Sequence, residues 1–358
     1  MSFNSNPAIT ATILNTILTV FLFPFAVLYN IVTRIRNYFY DLGIFKSSTS
    51  SIKTICVGNI RVGGTGKSPF VEYLLRYSIK KDIQTSTLSR GYGRITKGFL
   101  KAGKNTLSSD IGDESFQYFK NFGDKIAVFV DEKRVHGIDL IKKQNADIEL
   151  IILDDAYQHR SFSSHYNILL TEYSRPFFND FLLPMGRLRE ARIGANRASC
   201  VIVTKCPEYV PAEEKQRLID RINQYTADYT PIFFTTIAYS NPQALFNSSL
   251  QMSDYKNVVL VCGIDNPMPF VDFCKGKYNV KDVLIFPDHY TFNESDIDKM
   301  TQEKYESCAI LTTEKDTSRL LLHAKKLESH SVFYLPIEVK FYENENAFLS
   351  LLDKWLSV

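Results

Sequence analysis

The sequence predicts an α/β protein: a mostly parallel sheet with flanking helices, a smaller C-terminal α/β domain, and an apolar helix at the N-terminus. Three observations predict it. After residue 51, short β-branched runs alternate with longer amphipathic stretches; a glycine-rich turn directly after the first run ends in Gly66-Lys67-Ser68; and no charged side chain occurs before Arg34. Alternation of this kind calls for parallel strands joined by crossover helices. The chain has 358 residues, 45% hydrophobic and 23% charged, which excludes a disordered or fibrous protein. A net charge of +3 gives no sign of a nucleic-acid partner. The six cysteines form no CxxC pair and mostly lie in apolar runs, so reduced, buried thiols are expected rather than zinc or disulfides.

Taken in chain order, Ile13–Val32 comes first, with fifteen apolar residues in twenty, interrupted by Asn15, Thr16, Thr19, Pro24 and Asn30. A helix of this length rises about 30 Å, near the thickness of a bilayer core. Arg34 and Arg36 follow, as basic residues do on the cytosolic side of a membrane segment. A membrane-spanning helix, a helix lying in the interface and a buried core helix all remain open. Ser47–Ser51 reads as a linker. Strands are expected at Thr54–Val57, Thr85–Leu88, Lys125–Val130, Leu150–Asp154, Cys200–Thr204 and Ile232–Thr236, with helices at Phe70–Ile79 and Val135–Lys143. A second set of strands follows at Val258–Cys262, Val283–Phe286, Ala309–Thr312 and Val332–Leu335. The boundaries drawn are 1–46, 47–245 and 246–358.

The chemistry begins at Gly58–Ser68. Glycines let backbone N–H groups converge on a phosphate, so Gly63, Gly64, Thr65 and Gly66 are the expected cradle, Lys67 the phosphate cation and Ser68 a hydroxyl ligand for Mg²⁺. Arg61 stands where the strict pattern has glycine. Leu150–Asp155 is an apolar strand ending in two acids, Asp154 and Asp155, which suits Mg²⁺ beside a phosphate loop and suits an acidic surface turn as well. Gly112-Asp113-Glu114 opens a helix; Asp113 can accept an alcohol proton, and both acids can equally serve as first-turn caps. His289, in Asp288-His289-Tyr290, and His159, just beyond the acidic pair, are the histidines with suggestive neighbours. Arg90, Arg94, Arg187, Arg189 and Arg192 offer forks for phosphate or ordinary surface charge, and Tyr92 with the apolar N-terminal helix suggests an acceptor with an apolar part. Thr204-Lys205-Cys206-Pro207 and Thr313-Glu314-Lys315-Asp316 approach a guanine-reading segment without fitting it.

Nine segments together resemble one family, the tetraacyldisaccharide 4'-kinases of lipid A biosynthesis. They are Val57–Pro69, Leu88–Arg94, Gly112–Glu114, Arg134, Leu153–His159, Leu182–Glu190, Gly263–Phe270, Phe286–Tyr290 and Leu311–Asp316, preceded by the apolar helix. The resemblance implies a P-loop kinase domain over 47–245, a smaller C-terminal domain over 246–358, and a membrane-associated helix region over 1–46. It implies transfer of the γ-phosphate of ATP, with Mg²⁺, to the 4'-hydroxyl of a tetraacylated glucosamine disaccharide 1-phosphate at the cytoplasmic face of the inner membrane. No nucleic acid and no obligate protein partner are implied. By resemblance Asp113 is the base, His289 its dyad partner and Lys67 a catalytic cation. Arg134, Gln158 and Arg189 fall around the nucleotide; Arg90, Tyr92, Glu114 and His159 around the acceptor; Ser68, Asp154, Asp155 and Glu190 around the metal. Ser115, Ala156, Ala191 and Arg61 depart from the family pattern without removing a reactive side chain. The alternatives to this reading are a membrane-anchored nucleotide switch or ATPase, and a soluble kinase whose first helix is buried.

Overall fold

A computed structural model describes residues 7–357, with side chains from residue 21 onward. In chain order the elements are α1 (Pro7–Asp41), β1 (Lys53–Gly58), α2 (Lys67–Lys80), β2 (Thr85–Ser89), β3 (Leu100–Lys101), α3 (Ser108–Ile111), α4 (Asp113–Phe122), β4 (Ala127–Val130), α5 (Arg134–Gln144) and β5 (Leu150–Asp154). Next come β6 (Tyr166–Glu172), β7 (Cys200–Thr204), α6 (Ala212–Asn223), β8 (Ile232–Tyr239), β9 (Gln243–Ala244), β10 (Asn257–Cys262), α7 (Met268–Lys277) and β11 (Asn279–Ile285). The chain closes with α8 (Glu294–Met300), β12 (Ala309–Thr313), α9 (Thr317–Leu320), α10 (Ala324–Leu327), β13 (Val332–Leu335), β14 (Ile337–Phe341) and α11 (Glu345–Ser357). The protein is therefore α/β with a mostly parallel sheet and flanking helices, as the alternating runs predict.

Two compact units divide the chain: Met1–Lys67 with Asp155–Thr235 and Tyr342–Val358, and Ser68–Asp154 with Thr236–Phe341. In the first unit β1, β6, β7 and the start of β8 pair in parallel, with Ile55 opposite Tyr166, Ile168 opposite Cys200 and Val201 opposite Ile232. These strands are buried almost throughout, which is why they read as continuous apolar runs. Among the described residues of α1 only Ala26 is buried, while Phe21, Phe23, Phe25, Leu28, Ile31, Val32 and Ile35 are exposed. The helix is thus not a core helix over residues 21–41. Among the described residues no helix is long and apolar enough to cross a membrane. The side chains of residues 13–20 of the apolar run lie outside those described.

In the second unit β2 pairs in parallel with both β5 and β4, and β3 joins β4 antiparallel. α2 buries Phe70, Val71, Leu74 and Leu75, one face of a 3.6-residue repeat. A separate five-stranded sheet has the order β11-β10-β12-β13-β9, parallel except for β9. Alternate residues of β10 pack into two different cores: Val258, Leu260 and Cys262 face Phe270 and Phe333, whereas Val261 faces Phe292 and Ile297. The six cysteines are thiols rather than disulfides, and five of them are buried. Burial pushes the thiols of Cys200, Cys206, Cys262 and Cys274 up to about 12, so they act as small apolar side chains.

Strand β6 has no counterpart among the expected strands. Its centre, Ile168-Leu169-Leu170, is short and leucine-rich, and its strand character comes from pairing with β1 and β7 on both edges. β11 begins four residues before the expected Val283, because Asn279, Val280 and Asp282 pair with Asn257, Val258 and Val259 of β10 across a bulge at Lys281, although three of the four residues from Asn279 to Asp282 are polar.

Candidate functional site

In the first unit β1 ends at Gly58, where an added Cβ would lie 2.6 Å from the Cβ of Tyr157. Glycine there lets the turn after the acidic pair pack against the strand end. In the loop that follows, Asn59 Nδ2 donates to Thr65 Oγ1 at 2.6 Å, and Gly63 (φ 113°) and Gly66 (φ 84°) adopt backbone conformations that favour glycine. Arg61 is committed to two carboxylates. Its buried guanidinium pairs with Asp180 at 2.6 Å and with Glu172 at 3.9 Å, and so acts as a strut. Burial acts to raise the Asp180 carboxyl, but its bond with Arg61 and two backbone N–H groups hold it below its ordinary value.

Five residues singled out in the sequence form one network here. Lys67 Nζ is 3.7 Å from Asp155 Oδ1, and Arg189 Nη1 grips both oxygens of that carboxylate at 2.9 and 3.0 Å. Arg189 also donates to Gln158 Oε1 at 3.3 Å, and Gln158 Nε2 donates to Glu190 Oε1 at 3.0 Å. Arg197 holds both Glu190 oxygens at 2.9 Å, and Asn37 donates to one of them at 3.1 Å. Helix α1 reaches the same network through the Tyr29 hydroxyl, which donates to the Arg189 carbonyl at 2.7 Å. His159 is half-buried in this turn, its backbone N–H donating to Ala156 O.

In the second unit Asp154 ends β5, 5% exposed. The buried Tyr118 hydroxyl donates to Asp154 Oδ2 at 3.0 Å and also hydrogen-bonds the Ser68 side chain. Burial, then the Asp154 charge, raises the Tyr118 phenol well above its ordinary value, so it stays a donor. Nothing in the sequence marks Tyr118; its role appears only when α4 packs beside β5. Among the described residues no cluster of three His, Cys, Asp or Glu forms a ready-made metal cage. A hydroxyl and a carboxylate are the hard oxygen donors from which Mg²⁺, completed by phosphate and water, is usually held.

The third group surrounds Asp113, in the first turn of α4. Gly112 (φ 85°) precedes it; a Cβ there would meet the Tyr92 carbonyl at 2.7 Å. The N-cap residue is Gly112 and no side chain caps this helix, so Asp113 is turned elsewhere. Ser318 Oγ donates to Asp113 Oδ1 at 3.0 Å; Arg319 Nε lies 3.8 Å and His289 Nδ1 3.6 Å from Oδ2, ion-pair separations rather than good hydrogen bonds. Burial by itself pushes the Asp113 carboxyl up, but His289, Arg319 and Ser318 together outweigh it, and the net shift is below the ordinary carboxylate value. Arg319 is itself buried and fixed by Asp316, whose carboxylate also receives the Gly263 N–H at 3.0 Å. Lys315 Nζ is 3.1 Å from His289 Nε2 and 3.0 Å from Asp288. A lysine ammonium has only donors, so in this contact Nε2 accepts, which assigns the ring proton to Nδ1, facing Asp113.

Glu114 Oε1 is 3.9 Å from His289 Nε2, and the exposed Tyr92 ring meets the imidazole edge-on at 5.7 Å. Arg90 is exposed beside Tyr92 and Lys97 in a cavity of about 500 Å³. Arg134 begins α5, almost fully buried, its guanidinium donating to the Asp131 carbonyl. Ser318, Arg319 and Lys315 were not among the expected site residues. The signals available were that Lys315 and Asp316 close both a segment that failed as a guanine reader and Leu311–Asp316, one of the nine family-like segments.

With this geometry in place, comparison with known proteins gives a consistent result. The family profile described as Tetraacyldisaccharide-1-P 4'-kinase matches residues 18–357. The Tetraacyldisaccharide 4'-kinase of Flavobacterium johnsoniae is 42% identical over 91% of this chain and 94% of its own, and that of Cytophaga hutchinsonii is 39% identical over 94% and 95%. Among solved structures, an "apo" form of LpxK from Aquifex aeolicus in complex with ATP superposes with a TM-score of 0.74 at 28% identity, covering 95% of this chain and 99% of that one.

Proposed function

The chain belongs to the Tetraacyldisaccharide-1-P 4'-kinase family, and from that premise we propose that it transfers the γ-phosphate of ATP to the 4'-hydroxyl of a tetraacylated glucosamine disaccharide 1-phosphate. The observation that carries this reading is Asp113: a carboxylate held anionic against burial by His289, 3.6 Å away, and by Arg319 and Ser318, as a base for an alcohol must be. Domain limits of 47–245 for the kinase and 246–358 for the smaller domain belong to the same proposal.

In this reaction the sugar oxygen bonds to the γ-phosphorus, the bond from that phosphorus to the β–γ bridging oxygen breaks, and the hydroxyl proton passes to Asp113. His289, with its Nδ1 proton facing Asp113, stabilises the carboxylate before transfer and orients it. Gly63, Gly64 and Gly66 present backbone amides to the phosphates, Thr65 closes the turn by donating its N–H to the Gly63 carbonyl, and Lys67 exchanges its partner Asp155 for phosphate oxygens. Arg189 keeps Asp155 neutralised when Lys67 leaves. Ser68 and Asp154, joined through Tyr118, fit a magnesium ion in chemistry. When bound, Mg²⁺ neutralises charge on the β- and γ-phosphates. Glu190, Gln158 and Arg134 support the nucleotide and metal side; Arg90, Tyr92, Glu114 and His159 support the acceptor side.

The acceptor's acyl chains place the reaction at a membrane, and the exposed apolar residues of α1 are where we propose contact with lipid, at the cytoplasmic face of the inner membrane. Labelled-ATP transfer to a panel of lipid A precursors in mixed micelles tests the activity. Label is expected on the disaccharide; release of label into water at a rate indifferent to added lipid would sink the proposal. Asp113→Asn is expected to lower kcat by roughly 10²–10⁴-fold while ATP binding persists.

A further inference from the structure

The carbonyl groups of the phosphate loop are held from behind by two consecutive residues at the end of β7. Thr204 Oγ1 donates to the Thr65 carbonyl at 2.8 Å, and Lys205 Nζ donates to the Gly64 carbonyl and lies 3.4 Å from Glu172 Oε1. The loop packs close enough that a Cβ on Gly66 would sit 3.6 Å from Thr204. A peptide unit is planar, with its C=O and N–H pointing in opposite directions. Drawing the Thr65 carbonyl toward β7 therefore turns the Gly66 N–H away from β7. Lys205, on the Gly64 carbonyl, holds the preceding peptide, whose Thr65 N–H donates to the Gly63 carbonyl at 2.9 Å and closes the tight turn that leads into Gly66. Lys205 itself has a left-handed backbone (φ 56°), which a residue with a Cβ adopts only at a cost. The local chain thus accepts strain to deliver an ammonium group under the loop. The segment Thr204–Pro207, which fails as a base reader in the sequence, has this other use.

We propose that Lys205 is a positioning residue for nucleotide binding: it locks the Gly63–Thr65 turn that sets the orientation of the Gly66 N–H, so affinity for a nucleoside triphosphate depends on its ammonium. This rests on the nucleotide-binding reading above. The decisive variant is Lys205→Gly, which keeps the left-handed backbone without strain while deleting the ammonium. Glu172 is not stranded by that change, because Arg175 remains at 3.2 Å and Arg61 at 3.9 Å.

Binding of a fluorescent ATP analogue with Mg²⁺ is measured on the full chain in detergent, with melting temperature and steady-state kinetics alongside. Lys205→Gly is expected to bind roughly ten- to a hundred-fold more weakly, with an unchanged melting temperature. KM for ATP rises while kcat at saturation holds, and Lys205→Arg recovers most of the affinity. Wild-type affinity in Lys205→Gly, or a loss of affinity that only tracks a lower melting temperature, would overturn the inference. Failure of the wild-type chain to bind the analogue would instead overturn the kinase reading, and this inference with it.

Discussion

Six non-glycine residues among those described have a left-handed backbone: Asp82, Asp155, Lys205, Tyr229, His289 and Asn344. Three of them carry side chains of the candidate site. Each such residue costs about 1–2 kcal/mol, and the cost is tolerated where a strand end must present a side chain at one particular angle. At this scale the pH behaviour of Asp113 can be predicted. Its carboxyl is held below the ordinary value only because His289, Arg319 and Ser318 outweigh the effect of burial. In its proposed role as base it works when ionised, so the acid limb of the kcat/KM profile is expected at low pH. Ser318→Ala removes one donor and lets burial push the carboxyl up. The acid limb is expected to move to higher pH in that variant, with little change in ATP binding; an unmoved limb would show that Ser318 does not act on the base.

Between elements, a buried acid pair joins α2, α4 and the turn after β12. Asn121 Nδ2 bridges Glu72 Oε1 at 3.1 Å and Glu314 Oε1 at 2.8 Å, while Gln117 and Arg76 donate to Glu72 from the flanks. Burial first, then the Glu314 charge, pushes the Glu72 carboxyl up to about 7. A carboxyl raised on folding stabilises the native state below its unfolded value, near 4.5, and that contribution is lost as pH rises through about 7. Melting temperature is therefore expected to carry a downward component between these limits. Glu314→Gln removes the like charge and should flatten it, raising the melting temperature at pH 8 more than at pH 5. Parallel curves for the two proteins would rule out the pair as the source. The same elements carry Tyr118 and Asp113, so the packing that creates the acid pair also assembles Ser68 with Asp154.

At the scale of the whole molecule, α1 has two faces. Tyr29 and Asn37 reach the Arg189–Glu190 backbone and side chain, and Asp41 pairs with Arg160 at 2.7 Å. Apolar side chains from Phe21 to Ile35 are left exposed. Deleting residues 1–35 is expected to reduce co-sedimentation with phospholipid vesicles by more than roughly ten-fold, since each apolar side chain that leaves water for lipid contributes about 1–3 kcal/mol. Asn37 and Asp41 remain in the shortened chain, so its core should still melt cooperatively. Equal vesicle binding by both forms would refute lipid contact through this helix.

Much of this was legible in one dimension because the physics involved is local. Gly63–Ser68 reads as a phosphate loop since glycine, lysine and serine each have one reason to stand there, and β5 reads as a strand because five apolar or acidic residues in a row, buried on both faces, leave little else. Nine spaced segments sufficed for the family. The sequence could not show β6, whose identity depends on its neighbours, nor the turning of Arg61 to Asp180, nor the partners of Asp113. Ser318 and Arg319 follow it by some two hundred residues, and Tyr118, five positions on, gains meaning only against Asp154. Local chemistry by itself determined which groups can grip phosphate and accept a proton. Tertiary structure alone decided which of them are charged, which are held and what holds them, because burial and through-space partners set a side chain's energy and no run of neighbouring letters records either.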